Sequence, residues 1–134
     1  LHDTDAEETG LPVIGRVAAG VPIDSVAHIE KTVPVRAELF SAKPDYLLRV
    51  QGDSMINVGI YDGDLLAVRK SETARDGDIV VARVEGEVTV KRLVSGPAGI
   101  QLRAENPAYA PILIDDPSEF FIEGHAVGVI RTAL

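Results

Sequence analysis

Cysteine is absent from the 134 residues. That excludes disulfides, thiol nucleophiles and zinc–thiolate sites together, and it fits a reducing compartment. Positive charge is scarce: 13 Lys and Arg stand against 21 Asp and Glu, for a net charge of −8. A surface of that sign repels phosphate backbones, so this segment is not expected to bind nucleic acid directly. No apolar run approaches the ~20 residues of a membrane span, and the N-terminus lacks the basic-then-apolar pattern of a secretory signal. The expectation is a soluble chain with no membrane partner. It opens on Leu1 rather than Met, which reads as a piece of a longer protein or a trimmed chain.

What is present is enough for one domain with its own core. Residues 1–10 carry His2, Asp3, Asp5, Glu7 and Glu8 with almost nothing apolar, and they read as an acidic linker. Organised sequence runs over 11–134. Val13–Val17 suits a short strand, and Ala18-Ala19-Gly20-Val21-Pro22 suits an exposed, bendable loop. Short Val- and Ile-rich runs then alternate with turn signals: Thr32–Val35, Leu47–Val50, Leu65–Val68, Ile79–Val84, Val88–Val94, Ile100–Arg103, Ile112–Ile114, Phe120–Ile122 and Val127–Ile130. Glu85-Gly86 reads as the turn of a hairpin between two of them. Eight prolines and twelve glycines leave little room for helix. Ala37–Phe40 and the residues after Ser54 are expected to make one short helical turn each. The fold class that follows is all-β, a compact sandwich-like or partly closed set of sheets.

Four groups of residues are candidates for chemistry. Asp62/Asp64 and Asp76/Asp78 resemble fragments of oxygen-ligand metal loops, but both lack the further spaced oxygens and closing glutamate of a calcium loop. They read as turn residues, and no metal or cofactor is expected. Ser54 follows Gly52 at the end of the run Tyr46–Val50, where a sharp bend can expose a hydroxyl beside unpaired backbone amides. A turn serine has the same local sequence. His2, His28 and His125 offer a Ser–His–Asp arrangement on paper, since chain order does not constrain one. Lys91 lies in Val88-Thr89-Val90-Lys91-Arg92-Leu93, where the period of two aligns it with Thr89 and Leu93. A lysine near pKa ~10.4 is almost never neutral at pH 7, but full burial lowers that value by ~3–5 units. A desolvated Lys91 would then serve as the base of a Ser–Lys pair; the alternative is a stem lying along the sheet with its ammonium in water.

With Gly15-Arg16-Val17-Ala18-Ala19-Gly20, Gly52-Asp53-Ser54-Met55, Asp62–Val68, Val88–Arg92 and Ala126–Arg131 read together, the chain resembles the C-terminal domain of the LexA repressor family. The likeness runs from about Leu11 to Arg131. Related families are the UmuD-type polymerase accessory proteins, self-cleaving phage repressors and signal peptidases. The resemblance implies a serine peptidase that cuts its own chain, with Ser54 as nucleophile, Lys91 as general base and Ala19-Gly20 as the scissile bond. It implies an oxyanion hole from backbone N–H groups at Ser54 and its neighbours Asp53 and Met55, and a role for Thr89 in holding the amine. Val17 and Val21, flanking the bond, favour an extended substrate backbone. The resemblance further implies a cytoplasmic homodimer, with Val127–Ile130 either pairing across a two-fold axis or lying inside the sheet. It implies a RecA filament on single-stranded DNA as activator, and operator binding through an N-terminal helix-turn-helix domain absent from this chain. Residues 1–10 would be the hinge from that domain. The alternative is a UmuD-like accessory subunit of a translesion polymerase.

Overall fold

The computed structural model describes residues 10–133; the expected acidic linker, apart from Gly10, lies outside the described residues. Among the described residues nine strands form one sheet: β1 (Leu11–Ile14), β2 (Ile29–Val33), β3 (Tyr46–Arg49), β4 (Leu65–Lys70), β5 (Ile79–Val84), β6 (Glu87–Gly96), β7 (Gly99–Arg103), β8 (Ile112–Leu113) and β9 (Phe120–Ile130). Their order is β2-β1-β3-β4-β9-β5-β6-β7-β8, open at both ends. Every pairing is antiparallel except that of β1 with β3. The fold is all-β, as its short Val- and Ile-rich runs imply. Helix among the described residues is limited to single 3₁₀ turns. Ala37–Leu39 and Ile56–Val58 stand where such turns were expected. Val26–His28 and Pro117–Glu119 are additional, each opened by a side-chain oxygen (Ser25, Asp116) that accepts from a backbone amide.

The core follows from alternation along the strands. Leu66 and Val68 of β4 join Ile14, Tyr46, Leu48 and Met55 in one cluster, while Leu65 and Ala67 join Leu11, Val13 and Leu47 on the opposite face. Val80 and Ala82 of β5 meet Leu93 and Leu102 in a third. The central strands are covered on both sides, which is why they read as continuous apolar runs.

One expectation fails at β9. Phe120–Ile122 and Val127–Ile130 are not two strands but parts of one that is eleven residues long. Gly124 looked like punctuation, but it is a point of close approach: a Cβ there would lie 2.6 Å from the carbonyl oxygen of Arg69 on β4. β9 pairs with β5 through residues 120–125 and with β4 through residues 124–130. Register slips by one residue at Glu123 on the β5 side and at Val127 on the β4 side, and such bulges bend the strand that carries them. This one strand therefore joins β1–β4 to β5–β8. Ser54 belongs to the first group and Lys91 to the second.

Candidate active site

Ser54 lies in the loop from β3 to β4. Gly52 takes the left-handed conformation (φ 86°) that its position in the bend requires. Its N–H donates to Asp62 Oδ1 (2.7 Å), and Gly63 N–H donates back to the Val50 carbonyl (2.9 Å), which closes the base of the loop. Met55, 2% exposed, anchors it in the core beside Leu48 and Leu66. A second segment, after β7, grips the neighbourhood of Ser54. Glu105 N–H donates to the Ser54 carbonyl (2.8 Å), Asn106 Nδ2 to the Asp53 carbonyl (2.9 Å), and the Tyr109 hydroxyl to Asp53 Oδ1. Both peptide planes flanking Ser54 are thereby fixed from outside their own loop. Rigid amides beside a hydroxyl are what an oxyanion site requires.

Lys91 reaches Ser54 from β6. Its Nζ lies 3.0 Å from Ser54 Oγ, 2.7 Å from Thr89 Oγ1 and 3.1 Å from the Val90 carbonyl oxygen. Burial removes water from the ammonium and pushes its pKa down. A neutral amine has two N–H donors and one lone pair. The Val90 carbonyl can only accept and the Thr89 hydroxyl can accept, so the lone pair is left for the Ser54 hydroxyl to donate into.

Both residues line a cleft of about 360 Å³ that Val17 and Ala19 also line. Ala19 and Gly20 occupy the middle of a turn in which Val21 N–H donates to the Ala18 carbonyl (3.3 Å) and Gly20 has φ 78°. The extended backbone expected around this bond is therefore not observed. Glycine at the third position of a turn accepts a positive φ at no cost and folds the segment back. Arg83, 9% exposed on β5, donates to the Val21 carbonyl (2.8 Å) and to Glu123 Oε2 (3.1 Å). Sequence reasoning missed Arg83, although a lone arginine inside Val80–Val84 was a visible anomaly.

The other candidates do different work. Asp62 Oδ1 accepts from Gly52 N–H, Asp76 Oδ1 from Ser95 N–H (2.7 Å) and Asp78 Oδ2 from Arg75 N–H (2.9 Å). Asp64 pairs with Arg131 (2.6 Å), which holds its carboxyl below the usual range. His28 hydrogen-bonds the Ala18–Ile23 segment and not Ser54. His125 lies on β9 opposite Arg69 and Val80, and His2 lies outside the described residues. Among the described residues no helix is long and apolar enough to cross a membrane.

Comparison with known proteins gives a consistent result. The peptidase S24-like family matches residues 12–127. The chain is 55% identical over 129 residues to the LexA repressor of Dechloromonas aromatica (strain RCB), covering 96% of this chain and 64% of the relative. It is 53% identical over 124 residues to the LexA repressor of Alcanivorax borkumensis, covering 92% and 60%. For the LexA repressor of Glaesserella parasuis serovar 5 the identity is 54% over 127 residues, covering 94% and 61%. The chain thus spans 60–64% of the length of these relatives.

Proposed function

The chain belongs to the peptidase S24-like family, and from that premise we propose that it cleaves its own Ala19–Gly20 bond with Ser54 as nucleophile and Lys91 as base. The observation that carries the reading is the 3.0 Å approach of Lys91 Nζ to Ser54 Oγ in a cleft that Ala19 also lines. Neutral Lys91 takes the Ser54 proton as Oγ attacks the Ala19 carbonyl carbon. The oxygen becomes an oxyanion beside the backbone amides near Ser54, of which those of Ser54 and Met55 lie in the two fixed peptide planes. Collapse breaks the C–N bond, the proton passes from Lys91 to the Gly20 nitrogen, and Gly20 leaves as a new amino terminus. Water, deprotonated by Lys91, then releases Ala19 from the serine ester. Because substrate and nucleophile share a chain, no bimolecular encounter is needed.

By similarity to LexA repressors, cleavage would separate this domain from an N-terminal operator-binding domain and relieve repression of DNA-repair genes in the cytoplasm. A RecA filament on single-stranded DNA would act by favouring the loop conformation that presents Ala19 to Ser54. Shifting such an equilibrium from 1:99 to 99:1 takes about 5.5 kcal/mol of differential binding. The accessory-subunit alternative gains no support from relatives that are repressors. Mass spectrometry after incubation at alkaline pH tests the reading: a fragment beginning at Gly20 is expected from the native chain, and none from Ser54→Ala or Lys91→Ala. An uncut native chain, or cutting that persists in either variant, would overturn it.

A further inference from the structure

The loop between β1 and β2 is held from within by one of its own side chains. His28 is 7% exposed, with Nε2 3.0 Å from the Ala18 nitrogen and Nδ1 3.2 Å from the Ile23 carbonyl oxygen. Its backbone carbonyl also accepts from Gly15 N–H (3.1 Å). One residue therefore touches the loop near its start, its middle and the buried Ile23. The partners fix the ring's tautomer. A carbonyl only accepts, so Nδ1 carries the hydrogen; a backbone N–H only donates, so Nε2 must be bare.

Ala18 immediately precedes Ala19, so this bond falls two peptide units from the carbonyl that Ser54 is proposed to attack. No hydrogen bond among the described residues joins His28 to Ser54 or Lys91, and the ring does not line the cleft. A role as base is thus excluded, whereas a role through the loop is not. Building on the self-cleavage reading, we infer that His28 is a positioning residue that locks the Ala18–Val21 turn so that the Ala19 carbonyl faces the serine. Misplacement of a reacting group by about 1 Å costs roughly 10²-fold in rate.

Two amide variants separate the ring's contacts. In His28→Gln the side-chain oxygen can reach the place of Nε2 and accept from Ala18. In His28→Asn the amide nitrogen takes the place of Nδ1 and keeps only Ile23. Self-cleavage is followed at alkaline pH, with a thermal melt of each variant. In parallel, Ser54 is labelled at neutral pH with a small fluorophosphonate. The expected result is cleavage slowed on the order of 10–100-fold in His28→Asn, rescue in His28→Gln, and labelling in both at or above the native rate. Native-rate cleavage in His28→Asn, or labelling that falls in step with cleavage, would overturn the role. If His28→Asn does not fold, His28→Gln decides alone, because slow cleavage with a native melt is also contrary to the inference. A native chain that accepts the label but never cuts itself would instead sink the self-cleavage reading, and the role with it.

Discussion

Burial lowers the pKa of Lys91, and the direction of that shift sets two pH dependences. Cleavage should rise about tenfold per pH unit while Lys91 is mostly protonated, and level off below the ~10.4 of a free lysine. Initial rates across neutral to alkaline pH check this; a flat profile would exclude an amine base. Stability changes with the same sign. Between the lowered value and ~10.4 the unfolded chain holds a proton that the native chain has lost, so stability increases with pH through that window. Below the window the full cost of burying the charge is present. Lys91→Met should therefore abolish cleavage yet match or exceed the native Tm at pH 7, with the advantage shrinking toward pH 10. Local sequence made Ser54 and Lys91 candidates only, through a bend at Gly52 and a strand periodicity that lines Lys91 up with Thr89; the family resemblance is what implied them as a pair. For His28, Arg83 and Asn106 nothing local named the partner. Their partners lie 10, 62 and 53 residues away, and only the fold brings those groups together.

Among the elements, β5 and β6 were the most legible, because period-two alternation flanks a turn whose chemistry is explicit. Glu85 and Gly86 both have positive φ (50° and 87°), as a two-residue hairpin of this hand requires. Glutamate is strained there, so Glu85→Asn should stabilise the chain by about 0.4–1 kcal/mol, seen as a Tm raised by a few degrees. β9 was the least legible. A glycine that permits crossing looks the same in sequence as one that ends a strand, and the difference lies in what β4 brings against it. Gly124→Ala should accordingly lower stability by about 1–3 kcal/mol through the clash with Arg69 and Val68. A melt indistinguishable from native would mean that β9 does not run this close to β4. The side-chain ladder that fixes β2 is mostly exposed, so apolar patterning could not locate its start, and Ile29 rather than Thr32 opens it.

At the scale of the molecule, β9 is internal in the order of strands but only half covered along one edge. Residues 126–130 pair with β4, and no described strand covers their other side. An uncovered edge of this kind is a template for a second copy about a two-fold axis, which is the homodimer we propose. Amide exchange at residues 126–130 should slow as concentration rises and sedimentation moves from one chain to two; protection independent of concentration would place the partner elsewhere.

The position of β1 has its own consequence. It lies between β2 and β3, hydrogen-bonded to both, with Leu11, Val13 and Ile14 at 0–5% exposure. The hydrolysis proposed after Ala19 would sever the chain downstream of this strand without removing any of its neighbours. The upstream piece would stay stitched into the sheet until β1 slid free, so the chemical event and the physical parting would be separate in time. A denaturing gel would then record two pieces while a native column still elutes one particle, and the delay between them is the interval in which a cut molecule goes on behaving as a whole one.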